Sequence, residues 1–205
     1  MNVSRAFALV LGVVALAGCT VKQVPHSDDI HGWRATKDQF MRESSQSPVL
    51  PAQRAEFKPL LYFPVEAEYR VPAELRVIRG TDVMQMTTSD GQVRDMRRIG
   101  TLAFSLKTQP LTLTAFVEAA SDDLRRLFVP FGDLTNGTET YTGGRYLELD
   151  RTATGIYDLD FNRAYFPFCY YNPAFICPIP PRENRLPLPI RAGEKMTPGA
   201  RKAEG

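Results

Sequence analysis

Histidine is scarce in this sequence, and its scarcity argues against several kinds of catalytic site. The 205-residue chain has two histidines, His26 and His31, both close to the amino terminus. We expect neither to reach a site in the folded body, which argues against Ser-His-Asp and Cys-His triads. Without histidine, the remaining cysteines cannot complete a four-ligand zinc site. The sequence therefore predicts no metal centre and no histidine-based catalysis.

Motifs for phosphate and nucleic-acid binding are also missing. No glycine-rich loop leads into a helix with Lys followed by Ser or Thr, and Gly143-Gly144-Arg145 lies between two predicted strands. The formal net charge of +2 falls to +1 once Arg5 is removed with a signal peptide. Such a small charge gives no field that would attract nucleic acid. We predict no cofactor and no nucleic-acid partner.

Long apolar runs are absent apart from one near the amino terminus. Residues 1–18 carry one positive charge followed by the apolar run from Ala6 to Ala17, which is too short to span a bilayer comfortably and is typical of a signal peptide. Leu16-Ala17-Gly18-Cys19 matches the lipobox of bacterial lipoproteins, in which the sulfur of Cys19 carries a diacylglycerol and further acylation with a fatty acid such as palmitate completes the anchor. We therefore expect a lipid-anchored protein of the bacterial cell envelope. Thr20 follows in place of Asp, which favours the periplasmic face of the outer membrane in a Gram-negative cell.

The chain after residue 19 divides into a tether, one domain and a tail. Residues 19–32 are polar and predict an anchor and tether, and residues 196–205 predict a disordered tail. The 33–195 region is long enough for a single domain with a normal core. Its first segment, Trp33 to about Ser44, has Trp33, Phe40 and Met41 at helical spacing and predicts a short amphipathic helix. The apolar stripe is narrow, which favours packing on the body of the domain over the alternative of a helix that lies on the membrane.

The rest of the domain shows the alternation of β-strands, with no helical segments between them. Asp90-Gly91 and Asn136-Gly137 predict hairpin turns, Gln109-Pro110 predicts another turn, and a short helix is possible at about Ser121 to Leu127. The predicted strands are 60–63, 68–71, 75–78, 83–88, 93–99, 102–106, 111–117, 128–131, 138–141, 145–150 and 156–161. This pattern favours a mainly β fold, an antiparallel sandwich or open barrel.

The stretch from Phe131 to Asn184 contains both cysteines of the domain and most of its aromatic residues. Five prolines between Pro167 and Pro181 exclude a helix or a central strand and predict a long ordered loop. The segments FVPFGDLTNGTETYTGGRYLEL, YDLDFNRAY, CPIPPREN and IRAGEK resemble successive motifs of the bacterial domain-of-unknown-function family 1684, over roughly 33–195.

This resemblance implies a shared fold and surface, and it provides no catalytic residues. One departure lies at Phe166-Pro167-Phe168-Cys169-Tyr170-Tyr171, where related sequences read closer to Asn-Pro-Tyr-Cys-Ala-Tyr. Any polar role of that Asn in relatives is in doubt for this chain.

Cys169 and Cys177 are predicted to form a disulfide. Export would place them in an oxidising compartment, acylation would remove Cys19 from competition, and Pro173 favours a reversal of the chain between them. Two buried free thiols are the alternative.

Acidic residues of this stretch are the remaining candidates for chemistry. They can form the carboxylate pair of a glycan hydrolase, bind Ca²⁺ through oxygen ligands, or serve as surface charges and structural ion pairs. We predict a polar site at the mouth of a cavity, with Arg145 paired to Asp133 or Asp160 or clamping an acidic ligand, and with the aromatic loop as one wall. The candidate ligand-binding residues are Asp133, Thr135, Glu139, Tyr141, Arg145, Asp160, Asn162, Glu183 and Asn184.

Three functions stay open at this point. The first is an envelope lipoprotein whose β domain binds a small molecule, a glycan or a protein. The second is a carboxylate-dependent hydrolase of a cell-wall or envelope substrate, and the third is a structural periplasmic protein. Convergence of Asp133, Glu139, Arg145, Asp160 and Asn162 in one pocket would support a site, whereas scattered positions would favour the structural protein.

Overall fold

A computed structural model describes residues 24–197, so the predicted signal peptide, the predicted lipidation site Cys19 and most of the predicted tail lie outside the described residues. Six antiparallel strands form one sheet in the order β5-β4-β3-β2-β1-β6. They are β1 (Arg70–Thr87), β2 (Val93–Leu106), β3 (Gln109–Glu118), β4 (Arg126–Phe131), β5 (Arg145–Asp150) and β6 (Ile156–Asp160). Two α-helices, α1 (His26–Glu43) and α2 (Phe168–Tyr171), and four short 3-10 turns accompany the sheet.

The sheet curls into a nearly closed barrel. Its two edge strands, β5 and β6, are consecutive in sequence and approach each other, although they do not pair. Apolar side chains from all six strands fill the interior, among them the fully buried Leu102, Leu113, Val129 and Leu159. The predicted mainly β antiparallel fold with a helix near the amino terminus is therefore confirmed.

The first two strands are longer than the sequence pattern suggested. Segments predicted as separate short strands merge into β1 and β2, and the break around Gly80 is a bulge between Val77 and Asp82 in the β1–β2 register. The segment at 60–63 forms only an isolated bridge, between Tyr62 and Glu194. A bulge interrupts the pairing of a strand without ending it, which is why the predicted boundary between the strands 75–78 and 83–88 is wrong.

Two predicted local structures are wrong. The turn between β2 and β3 lies at Lys107-Thr108, both with positive φ, and not at Gln109-Pro110. A two-residue hairpin loop of this type needs positive φ at both central residues, and the proline is accommodated in β3 itself. The possible helix at 121–127 does not form, because Asp123 accepts hydrogen bonds from the Arg125 amide and guanidinium and β4 begins at Arg126.

Helix α1 begins at His26, seven residues before the predicted start. Pro25 precedes its first turn, and Asp28 and Asp29 lie in that turn, where carboxylates interact favourably with the positive end of the helix dipole. Ile30, in the segment predicted as tether, is completely buried. The helix packs along the outside of the barrel, and within residues 24–197 no helix is long and apolar enough to cross a membrane.

Candidate functional site

Arg145 and Asp133, both predicted as ligand-binding residues, form a completely buried ion pair. Nη2 of Arg145 donates to Oδ2 of Asp133 at 2.8 Å and to the Ile190 carbonyl at 2.7 Å, and Nη1 donates to the Ala192 carbonyl. Burial lowers the pKa of Arg145, and the attraction of Asp133 opposes that change. The pair ties β5 to the carboxyl-terminal segment, which is a structural role.

The residues around Asn136-Gly137 support the same ion pair. Gly137 has the positive φ that the sequence predicted, but the expected strand at 138–141 is absent, because Thr135 and Asn136 close a compact loop with Thr140. Thr135 donates its hydroxyl to Asp133 Oδ1 at 2.6 Å. Glu139, farther along the loop, is partly exposed and pairs with Arg191.

Asp160 and Asn162 belong to a different cluster, at the amino-terminal end of α1. Oδ1 of Asp160 accepts hydrogen bonds from the amide and the side chain of Asn162, and Oδ2 lies 2.7 Å from Nε2 of His26. The expectation that His26 cannot reach the folded body is therefore wrong, because the early start of α1 carries it there. Asn162 also bonds both backbone polar groups of Glu66.

The last three candidates lie elsewhere again. Asn184 is buried and bonds backbone groups of Thr114 and Pro130, which fixes the 3-10 turn Arg182–Asn184 against β3 and β4. Glu183 forms an ion pair with Arg98. Tyr141 packs against aromatic rings, and burial together with the neighbouring Cys169 raises its pKa to about 12. The five residues whose convergence would have supported a site are therefore scattered, and at these positions the structure favours structural roles.

Cys169 and Cys177 are free, buried thiols in the structure, which corresponds to the alternative to the predicted disulfide. Sγ of Cys177 accepts a hydrogen bond from the Cys169 amide at 3.1 Å, and the two side chains also bond each other. The bond from the Cys177 thiol, with support from Ser89 and Tyr141, lowers the pKa of Cys169 to about 7. The same bond raises the pKa of Cys177. Hydrogen bonding between the two side chains therefore takes the place of the expected covalent link.

A groove of about 660 Å³ lies between α1, the outer face of the sheet and the loop after Tyr165. The aromatic loop that the sequence predicted as a cavity wall lines one side of it. Within the described part, none of the nine predicted ligand-binding residues lines this groove. Its apolar lining consists of Trp33, Phe40, Met96, Val117, Phe128, Tyr146, Tyr165, Pro167, Phe168, Phe175, Ile176, Cys177 and Pro178.

The groove continues into a polar cavity of about 510 Å³ at the gap between β5 and β6. Trp33, Arg126, Glu148 and Tyr165 line both cavities, so the two cavities adjoin along the barrel. Asp160 is the one predicted site residue that lines the polar end. We call the two parts the aromatic groove and the polar end.

A buried polar network supports the wall that α1 contributes. Lys37 pairs with Glu194, which also accepts hydrogen bonds from the Tyr171 hydroxyl and the Phe166 amide, each at 2.7 Å. Burial lowers the pKa of Lys37, and the attraction of Glu194 opposes this. Nζ of Lys37 lies 4.4 Å from the centre of the Tyr165 ring at the groove surface. The network therefore links α1, α2 and the carboxyl-terminal segment in one place.

Sequence reasoning missed this site because its residues come from three distant segments. Trp33 and Phe40 were read as one apolar stripe that packs on the body, and Phe128 as part of a core strand. The stacking of Phe40 on Phe168, with ring centres 6.2 Å apart, joins segments 128 residues apart in the chain. The one indication of the site in the sequence was the loop after Tyr165, which contains more aromatic residues than a loop exposed to solvent normally does.

Comparisons with known proteins identify relatives of this chain, but none of these relatives has a described activity. The sequence profile of the family described as "Protein of unknown function (DUF1684)" matches residues 55–195. The solution NMR structure of an uncharacterised protein from Haloarcula marismortui is similar, with 39% sequence identity and a TM-score of 0.65. The alignment covers 82% of this chain and 93% of that protein. No curated protein matches the sequence significantly.

Proposed function

This chain belongs to the DUF1684 family, and on that premise we propose that it is a binding module whose aromatic groove holds an elongated, largely apolar ligand. The observation that carries the proposal is the groove itself, about 660 Å³ in volume and lined by rings from α1, β4, β5 and the loop after Tyr165. Concave, mainly apolar sites of this size with a few polar groups are the usual form of small-ligand sites.

The groove walls are fixed by contacts that do not depend on a ligand. Phe128 packs edge-on against Tyr146 with ring centres 4.7 Å apart, and Phe168 packs edge-on against Phe175 at 5.4 Å. The Tyr146 hydroxyl donates to the Pro178 carbonyl behind the groove surface. A site that is formed before binding loses less conformational entropy when the ligand arrives.

Exposed apolar surface in the groove supplies the driving force for binding. Ile176 on its rim is 50% exposed, and each methylene group that a ligand buries there contributes ~0.8 kcal/mol. An alkyl chain of about ten carbons would therefore reach useful affinity after the cost of immobilisation.

Attachment to the cell envelope is part of the proposal. A diacylglycerol on Cys19, in the lipobox Leu16-Ala17-Gly18-Cys19, would lie seven positions before His26, where α1 begins. A fully extended chain of that length spans at most about 25 Å, so the helix wall of the groove would lie near the lipid surface. Metabolic labelling with a fatty acid tests this: label should enter the wild-type protein and be lost in Cys19→Ala, and undiminished label would contradict it.

A carboxylate-dependent hydrolase is the alternative activity. It would use two facing carboxyl groups with unequal proton affinities. At the polar end, Glu148 accepts hydrogen bonds from Arg126 and Tyr165. Asp158 accepts a hydrogen bond from Arg70, and Asp160 forms a hydrogen bond with His26. These partners engage three of the four carboxylates at the polar end and leave Asp150 without an equally short contact, so no pair of unengaged carboxyl groups is present there among the described residues, which favours the binding module.

Trp33 provides a direct test of binding, since it is the one tryptophan of the chain and lines the groove. Titration with dodecyl maltoside below its critical micelle concentration should shift Trp33 fluorescence with saturation. Ile176→Asp, on the groove rim, should weaken this binding at least tenfold. Leu134→Asp is the matched control, because Leu134 is 63% exposed and does not line the groove. Equal effects of the two substitutions, or no saturable signal, would overturn the proposal.

A further inference from the structure

We propose that the natural ligand is a single-chain amphiphile with a cationic, ammonium-bearing head group, its chain in the aromatic groove and its head at the polar end. The inference rests on the proposed function and adds the chemical class of the ligand. It starts from the adjacency of the two cavities, which share the lining residues Trp33, Arg126, Glu148 and Tyr165.

The change in lining from one cavity to the other fits a molecule that is apolar at one end and polar at the other. Phe168, Phe175 and Met96 line the aromatic groove but not the polar end. The polar end is lined by Asp150 of β5, by Asp158 and Asp160 of β6 and by Thr152 in the loop between the two strands, with Leu147, Leu149 and Tyr157 as its apolar part. A wholly apolar ligand that extended this far would desolvate carboxylates without giving them new partners, at a cost.

The sign of the head group follows from the charges at the polar end. Four carboxylates, Glu148, Asp150, Asp158 and Asp160, line it with two guanidinium groups, Arg126 and Arg163. Some of this charge is already paired: Asp158 with Arg70 at 2.6 Å, Asp160 with His26, and Arg163 with Asp29 of α1. The surplus is negative, so a cation is favoured and an anion is repelled.

Asp150 is the carboxylate with the most unused bonding capacity. Its side chain is 87% exposed, and its contact with Nε of Arg126 is long, at 3.4 Å. Arg126 also donates to Glu148 at 3.0 Å, the shorter of the two contacts. Asp150 can therefore accept an ammonium head group without breaking a good hydrogen bond, and its substitution should leave Arg126 paired.

Three probes with the same twelve-carbon chain distinguish the contribution of the head group to binding from that of the alkyl chain. They are dodecyltrimethylammonium, dodecyl maltoside and dodecanoate. Each is titrated below its critical micelle concentration, with Trp33 fluorescence as the readout. We expect the ammonium probe to bind about tenfold more tightly than dodecanoate at low salt, and ~0.5 M salt to remove most of that difference.

Asp150→Asn should weaken binding of the ammonium probe about threefold and leave binding of the maltoside unchanged. Glu139→Gln is the matched control, since it removes a partly exposed carboxylate outside both cavities. Equal affinities for the three probes, or tighter binding of dodecanoate, would overturn the head-group inference while the proposed function stands. Failure of all three probes to bind would overturn both.

Discussion

Arg145 and Asp133 face each other across 2.8 Å, Nη2 to Oδ2, and neither side chain has any exposed surface. An ion pair this deep is a structural element, because the loss of one partner leaves an uncompensated charge in the interior. The sequence suggested that Arg145 could clamp an acidic ligand. The structure instead surrounds its guanidinium with Asp133 and backbone carbonyls of the 190–194 segment.

The first prediction is that Arg145→Met lowers the free energy of unfolding by about 3–5 kcal/mol. Asp133 would keep its buried charge and lose its partner. Urea unfolding followed by circular dichroism measures the change. Glu139→Gln, which breaks the surface pair with Arg191, serves as the control and should cost less than about 1 kcal/mol. Equal stabilities of Arg145→Met and wild type would show that the pair is not buried as described.

The second prediction concerns the attachment of α1. Lys37→Met should destabilise the protein by about 3–5 kcal/mol, because Glu194, 1% exposed, would be left without its cation. The double variant Lys37→Met/Glu194→Gln should recover part of the loss, since no unpaired charge remains. Unfolding measurements on the wild type, both single variants and the double variant give the coupling energy. Strictly additive losses would contradict a direct interaction between the two side chains.

The third prediction is that Cys169 reacts as a thiolate near neutral pH. Its pKa of about 7 results first from the hydrogen bond of the Cys177 thiol. In a Cys19→Ser chain, which retains two thiols, the rate of alkylation by iodoacetamide should rise as the pH increases through about 7, because the thiolate is the nucleophile. Cys177→Ala tests the cause, since it removes the thiol that donates to Cys169 and should therefore raise the midpoint. A wild-type midpoint at the ordinary thiol value of 9.0 would contradict the hydrogen-bonded pair.

The fourth prediction concerns Gly144, where the loop between β4 and β5 meets the carboxyl-terminal half of the aromatic loop. Its φ is +85°, and an added Cβ would lie 2.6 Å from Pro180 Cγ and 2.7 Å from the Phe131 carbonyl oxygen. Gly91 has a similar φ of +80° with no atom within 4 Å of an added Cβ. Gly91→Ala should therefore report backbone strain alone, about 1–3 kcal/mol, and Gly144→Ala should cost clearly more. Similar losses in thermal or urea unfolding would show that the close approach is unimportant.

The sequence predicted the fold class well because β-strands leave a local signal. Alternation at Leu102, Phe104 and Leu106, and again at Leu111 and Leu113, is visible without any knowledge of the partners. The sheet pairs these strands in the expected antiparallel way. The Asp90-Gly91 turn between β1 and β2 was recognised for the same reason, since the turn chemistry is contained in adjacent residues.

The site was harder to predict because it depends on contacts between distant segments. Asp133 and Arg145 are twelve residues apart in the chain, and one of the two partners proposed for Arg145 is the one it has. Its burial depends on residues 190–194, which no local pattern brings to it. His26 was assigned to a tether, although it is the first residue of α1, which places it beside Asp160, 134 residues later. The stacking of Phe40 on Phe168 is equally invisible to a reading of either segment alone.

The most direct test of the account is an isotope-filtered nuclear Overhauser experiment on the ¹³C-labelled protein with saturating, unlabelled dodecyl maltoside below its critical micelle concentration. The aromatic groove predicts contacts from the alkyl chain protons to the rings of Phe128, Phe168 and Phe175. The methyl groups of Leu134, exposed outside the groove, should show none. Contacts to Leu134 in place of the three rings, or no contacts at saturation, would contradict the proposal that this groove is the binding site.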